Sequence, residues 1–150
     1  MLENRRHGDC RNLCVFELNE VLGFSDERTF EGGYAIICSL LIDVDCYHVK
    51  CDRYYSATGA LYLFSSALRN CYLSLEGQAE YRMLYENDLF ITVAMTSNGH
   101  AEVSGTFRER PDQDNILHFF MKTDQTFLLP VVQGIDELKN TCGGMEGVKG

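Results

Sequence analysis

The chain has 150 residues, of which 22 are acidic and 13 basic, so its formal net charge at pH 7 is −9. This length fits a single domain, residues 1–150, whose core is large enough to fold without disulfide or metal staples. The acidic balance disfavours nucleic acid and anionic membrane as partners, because both would repel such a surface. A partner steered by charge would therefore be basic.

The first third of the chain predicts three strands. Residues 13–18 are β-branched and aromatic, residues 34–43 form a long apolar run, and polar and apolar residues interleave over 43–53. A polar, glycine-containing connection at 19–33 joins the first two strands. Residues 1–11 are polar and are expected to be loose.

The hydrophobic period then changes to that of a helix. Apolar residues that recur every three or four positions mark one buried face: Leu61, Phe64, Leu68, Cys71 and Leu75. Ser56 or Thr58 is expected to cap this helix, and Gly77 to end it. Gly59 in the first turn either costs about 1 kcal/mol relative to alanine or marks a close backbone approach.

Residues 78–122 alternate with a period of two and predict a four-stranded antiparallel meander. Its clearest turn is Asn98-Gly99, because these residue types fill both positive-φ positions of a type I′ turn. A second helix is expected from near Phe127, with Pro130 in its first turn and Gly143-Gly144 at its end, followed by a loose tail at 143–150. The fold class is α+β, with about seven mostly antiparallel strands in the order three strands, helix, four-stranded meander, helix.

The cysteines indicate a reducing compartment. There are seven, an odd number, and no apolar leader precedes them, so we expect free thiols in a cytoplasmic protein. His7, Cys10 and Cys14 form the nearest approach to a ligand cluster, but the sequence has no CxxC pair. We therefore expect no metal site and no cofactor.

No catalytic constellation stands out. The sequence lacks a phosphate loop and a Gly-x-Ser-x-Gly elbow. His100 falls on a hairpin tip, and His118 is expected to be a satisfied, half-buried residue of the last strand. Asp43 and Asp45 share a strand face, where they either hold a cation, share a proton or form an exposed strand end. We expect a protein that is not an enzyme.

Candidate contact residues come from charge and from tyrosine. An acidic stretch with only Arg28 against it is either a solvated loop or a docking surface for a cationic partner; its members are Glu20, Asp26, Glu27 and Glu31. Tyr54 and Tyr55 belong to a tyrosine-rich segment and are the candidate aromatic anchors, because tyrosine combines contact area with a polar tip.

Four stretches of the chain resemble the WapI-type immunity proteins. They read YYSATGAL at 54–61, LEGQAEY at 75–81, NGHAEVSGTF at 98–107 and TDQTFL at 123–128. The resemblance covers roughly residues 34–140 and rests on hairpin and helix-cap motifs. It implies a small bacterial cytosolic protein that neutralises the toxic C-terminal domain of a contact-dependent inhibition toxin by binding rather than by catalysis.

Three functions stay open at this point. The first is an immunity protein that occludes a basic toxin domain, which we expect to be a nuclease because nucleases must hold a polyanion. The second is a module that binds a small molecule or peptide on the face of the meander that no helix covers. The third is an enzyme that uses His118 with a nearby cysteine or aspartate.

Overall fold

The computed structural model describes residues 2–5, 11–22, 28–83 and 88–146. These contain two antiparallel sheets, each followed by a helix. The first sheet has the order β1 (Leu2–Arg5), β2 (Arg11–Val21), β3 (Ala35–Val44) and β4 (Tyr47–Ala57), and precedes α1 (Thr58–Ser74). The second has the order β5 (Gln78–Arg82), β6 (Leu89–Met95), β7 (His100–Phe107) and β8 (Leu117–Asp124), and precedes α2 (Leu128–Cys142). The predicted α+β class and element order are confirmed, and the short edge strand β1 adds a fourth strand to the first sheet.

The turn between β3 and β4 falls inside the segment 43–53 that was predicted as the third strand, so that β4 begins only at Tyr47. Asp45 adopts a φ of 53°, so Asp45 and Cys46 form a two-residue turn and Val44 pairs with Tyr47. The interpretation of Asp43 and Asp45 as neighbours on one strand face is therefore wrong. The Asp43 carboxylate contacts the His48 ring at 2.7 Å, whereas the Asp45 backbone N–H donates to the Asn12 side chain.

Backbone carbonyls, not side-chain hydroxyls, accept the hydrogen bonds of the first N–H groups of α1. The Thr58 N–H donates to the Tyr34 carbonyl, and the Gly59 N–H donates to the Gly32 carbonyl at 3.0 Å. The prediction of a Ser56 or Thr58 cap is wrong, because the helix makes no side-chain cap hydrogen bond. A Cβ at position 59 would lie only 2.2 Å from the Gly32 carbonyl oxygen. Of the two readings of Gly59, the close backbone approach is confirmed.

The meander and the second helix follow the sequence pattern closely. Asn98 and Gly99 have φ values of 59° and 75°, the positive pair that a type I′ turn requires. The Asp124 carboxylate accepts the Thr126 N–H one turn before α2, and Pro130 lies in the first turn of that helix. Gly143 ends α2 with a φ of 81°.

One apolar core joins both sheets and both helices. Each sheet turns alternate residues inward, so that Leu40 and Ile42 of β3 share a buried cluster with Ile91 and Val103 of the meander. Helix α1 packs on β5 and on α2, and β1 lies beside β8. The helix of the first half therefore covers part of the second half, which ties the two halves into one core.

Candidate interaction surface

Two of the expected contact residues lie together on the outer face of the first sheet. Glu20 on β2 and Tyr55 on β4 both pair with Ile37, which lies between them on β3. Residues of one cross-strand row project to the same face of a sheet. Glu20 is exposed, and the Tyr55 side chain is 46% exposed.

The other expected contact residues do not join this surface. Tyr54 is only 4% exposed, because its side chain points inward and its hydroxyl lies 3.2 Å from that of Tyr81. The expectation that Tyr54 is an anchor at the surface is therefore wrong. Glu31 is 8% exposed and belongs to the segment that meets the start of α1. Asp26 and Glu27 lie outside the described residues.

Arg53 links the two residues that do come together. One of its guanidinium nitrogens donates to the Tyr55 hydroxyl at 3.3 Å, and its guanidinium carbon lies 6.0 Å from the centre of the Tyr55 ring. The hydrogen bond with Tyr55 raises the pKa of Arg53, and the Glu20 carboxylate raises it further. Glu20, Arg53 and Tyr55 thus form a mixed-charge, aromatic cluster.

An irregularity in β4 explains why this part of the strand is so exposed. The register between β3 and β4 shifts between Cys38 and Leu40, which leaves Asp52 and Arg53 as consecutive exposed residues. The Asn19 amide donates to the Ser39 hydroxyl at 2.7 Å and to the Asp52 carbonyl at 3.4 Å. A bulge of this kind re-aims the side chains around it.

A polar cleft of about 500 Å³ runs along the same strand. One wall is the continuous segment Lys50, Cys51, Asp52, Arg53, Tyr54 and Tyr55, and the other consists of Asp88, Phe107, Glu109 and Arg110 of the second sheet. We call this space the β4 cleft. It places the Glu20–Arg53–Tyr55 cluster at one border of a concave polar surface.

Three carboxylates converge on the β4 cleft. Burial raises the pKa of the Cys51 thiol, and the negative charges of Glu109, Asp52 and Asp88 raise it further. Burial also raises the pKa of Asp88, against the opposing effect of Arg108. Two of the nearby cations are already paired: the Lys50 ammonium lies 3.3 Å from Asp52, and the Arg110 guanidinium 2.8 Å from Asp112.

The structure also contains an apolar cavity of about 280 Å³. It lies between β2, β3 and both helices, where Phe16, Leu61 and Ile135 are among its lining residues. It is separate from the outer face of the meander, where Phe120 is 47% exposed and His118 is exposed. The expectation that His118 is half-buried is wrong, because β8 turns Phe119 and Met121 inward instead.

The histidines of the described residues, His48, His100 and His118, are all exposed. His48 pairs with Asp43 on the surface, and His100 is exposed at the start of β7. Across residues 2–5, 11–22, 28–83 and 88–146, no three His, Cys, Asp or Glu side chains lie close enough to hold a metal ion. Within the same ranges, neither helix combines the length and apolar character needed to cross a membrane.

Sequence reasoning did not find the second wall of the β4 cleft. Asp88 and Glu109 flank β6 and β7, and Leu89 pairs with Phe107, so the two acids lie at one end of the second sheet. The meander predicted at 78–122 already carried this signal, since alternate turns of an antiparallel meander share one end of the sheet. Nothing in the sequence alone brings that end to β4.

Comparison with known proteins matches the chain to one family. A family model described as "Immunity protein WapI-like family" matches residues 14–141. No curated protein matches the chain. A chain of a CdiA-CT/CdiI toxin and immunity complex from Enterobacter cloacae is 11% identical, with a TM-score of 0.46 over 83% of this chain and 99% of that one. A chain of the Trypanosoma brucei MRP1/MRP2 structures is also 11% identical, with a TM-score of 0.43 over 87% of this chain and 84% of that one.

Proposed function

The chain belongs to the immunity protein WapI-like family, and we propose that it binds a cognate toxin domain and neutralises it by occlusion, without catalysis of its own. The observation that carries this proposal is the family match over residues 14–141. The toxin domain we expect is a basic nuclease, and the place of action the bacterial cytoplasm.

Charge supports the choice of a nuclease. A domain that holds nucleic acid presents lysine and arginine to phosphates, and a protein with a net charge of −9 is attracted to such a surface. Complementary charge mainly accelerates encounter, whereas buried aromatic contacts slow dissociation. An acidic protein with exposed tyrosines therefore suits both steps.

The contact surface we propose is the Glu20–Arg53–Tyr55 cluster together with the β4 cleft. Glu20 and Tyr55 lie in one row of the first sheet, and Tyr55 also lines the cleft. A concave surface with an exposed tyrosine at its border is a suitable place for a protruding basic segment, because an aromatic side chain at an interface can act as an anchor.

Co-expression tests the function directly. The protein is produced in bacteria together with the toxin domain encoded beside it, and the two are then passed over a sizing column. We expect survival of the host and co-elution as one complex. Host death, or separate elution of the two proteins, would refute the proposed function.

Two variants test the surface. Glu20→Lys should lower the association rate several-fold at low salt, and the difference should shrink as salt screens the charges. Tyr55→Ala should mainly raise the dissociation rate, by about tenfold or more if the ring is an anchor. Glu76→Lys is the matched control, since Glu76 is exposed after α1 and outside the cleft. Equal rates for Glu20→Lys and Glu76→Lys would remove Glu20 from the interface.

A further inference from the structure

The open edge of β4 suggests a specific mode of binding in the β4 cleft. We propose that an extended, basic segment of the toxin domain enters the cleft and adds a strand to the first sheet along β4. This inference rests on the proposed function, and it names the backbone and the side chains that receive the partner.

The first observation is that β4 is an edge strand. The order of the first sheet is β1-β2-β3-β4, so β4 pairs only with β3 among the described strands. The β1 edge, at the other side of the sheet, lies beside β8. Apart from the ladder with β3, no backbone–backbone hydrogen bond joins residues 47–52 to another described element, although the Asn19 side chain donates to the Asp52 carbonyl. Such an edge is a template for a further strand.

The turn identifies which backbone groups are free to pair. A two-residue hairpin closes on a hydrogen-bonded pair, here Val44 and Tyr47, and the bonding then alternates along the strands. Tyr47, Val49 and Cys51 therefore direct their N–H and carbonyl groups toward β3. His48 and Lys50 direct theirs away from the sheet. Lys50 lines the β4 cleft, and His48 lies two residues beyond the end of the cleft.

The second observation is that this edge borders open space. Six consecutive β4 residues, 50–55, line the β4 cleft, and about 500 Å³ separates them from the second sheet. An extended segment of six residues is roughly 20 Å long and needs a groove rather than a closed pocket. A strand edge that forms one whole wall of a groove is suited to such a segment.

The opposite wall indicates a basic occupant. Asp88 and Glu109 face the edge from the second sheet, and Arg108 acts on Asp88 against the rise of its pKa. Of the cations that line the cleft, Lys50 and Arg110 are each paired with an aspartate, and Arg53 donates to the Tyr55 hydroxyl. A lysine or arginine of the partner can therefore reach two carboxylates without displacing an existing ion pair. A second copy of this chain is disfavoured, because two molecules of net charge −9 repel each other.

Proline at position 50 tests the backbone role. Lys50→Pro removes an N–H that makes no bond inside the sheet, so the fold should persist, as prolines do on strand edges. We expect at least a tenfold loss of affinity for the cognate toxin domain. Lys50→Ala loses the same side chain but keeps the N–H, so it is the reference against which the effect of the missing N–H is measured. Equal affinities for the two variants would overturn the proposal.

Hydrogen exchange on the unaltered protein gives a second measurement in case the proline variant does not fold. Binding of the toxin domain should slow exchange of the His48 and Lys50 amides, while the amides of Val49 and Cys51 are already bonded to β3. A complex in which His48 and Lys50 exchange at their free rate overturns strand addition. So does protection of the same amides in the protein alone at high concentration, which would mean self-association.

Neutralising the opposite wall tests the chemistry of the occupant. Asp88→Asn with Glu109→Gln should slow association several-fold at low salt, with little effect at high salt. Asp114→Asn is the control, because Asp114 is exposed and outside the cleft. An unchanged association rate for the double variant overturns the proposal that the incoming segment is basic. If no version of the protein forms a complex with the toxin domain, the proposed function is refuted and strand addition with it. If a complex forms with the same affinity for all β4 variants, strand addition alone is refuted.

Discussion

The Ser56 hydroxyl lies 2.7 Å from the Tyr81 hydroxyl, in the core where the first sheet meets β5. Tyr54 adds its own hydroxyl at 3.2 Å from that of Tyr81. The three groups belong to residues that are 4% exposed or less. Phe16 and Phe64 surround the Tyr81 ring with edge-on contacts at 5.4 and 6.0 Å. A small polar network therefore joins the two halves of the protein within an apolar core.

Removal of the central hydroxyl should destabilise the fold. Tyr81→Phe leaves Ser56 and Tyr54 without their shared partner, and a buried polar group that loses its partner costs about 1–3 kcal/mol. Urea unfolding should show a loss of that size. Tyr47→Phe is the matched control, because Tyr47 is 60% exposed, and it should change stability by less than about 0.5 kcal/mol. Equal effects at the two positions would contradict a structural role for the network.

Stability should fall at alkaline pH. Burial raises the pKa of Cys14 to about 12 and that of Cys38 to about 11, from an ordinary value of 9.0. Below pH 9 both thiols are protonated in the folded and the unfolded chain, so they cause no pH dependence. Above pH 9 the unfolded chain loses these protons first, and folding free energy is lost at roughly 1.4 kcal/mol per thiol per pH unit.

The same titration has a simple control. The free energy of unfolding, measured at pH 8, 9, 10 and 11, should fall less steeply with pH for Cys38→Ala than for the unaltered protein, whatever the variant's stability at pH 8. Burial likewise raises the pKa of Tyr54 and Tyr81, which adds a loss of the same sign above pH 10. A slope unaffected by Cys38→Ala would show that this thiol is not buried in the folded state.

Two helical glycines should respond to alanine with opposite signs. Gly59→Ala places a Cβ 2.2 Å from the Gly32 carbonyl oxygen and 2.4 Å from that of Glu31, where backbone must shift, and should cost roughly 1–3 kcal/mol. Gly134→Ala meets nothing within 4 Å and should stabilise α2 by up to about 1 kcal/mol. Thermal melting of the two variants measures both effects. A stable Gly59→Ala protein would contradict the close approach.

The cysteines should differ in reactivity toward an alkylating reagent. Cys46 is exposed in the turn between β3 and β4, whereas Cys14 and Cys38 are buried with raised pKa values. Because the thiolate is the reactive form, burial and a raised pKa both slow alkylation. Mass spectrometry after brief iodoacetamide treatment at pH 8 should find Cys46 modified before Cys14 and Cys38. Equal labelling of Cys38 without denaturant would contradict its burial.

Local pattern was sufficient for the second half of the chain, because each of its strands pairs with the next. The alternation over 78–122 and the Asn98-Gly99 turn determine register without long-range information. The first sheet was harder to predict, since the positive φ at Asp45 sets the position of the turn before β4. The bulge at Asp52 then shifts the register of β4 against β3. The candidate surface was predicted only at Glu20 and Tyr55. Tyr54 and Glu31 are buried for reasons that arise from tertiary packing, which composition does not reveal.

The described residues form two parts with the same order of elements, four strands and then a helix, and residues 75–77 join them. Each part carries a whole sheet, but its apolar face is completed by the other part, because α1 packs on β5 and α2. Two fragments separated between Glu76 and Gly77 should therefore remain unfolded alone and reassemble when mixed. With half of a split reporter attached to each fragment, the reporter signal in living cells would measure reassembly. Survival of the same cells would show whether reassembly restores protection.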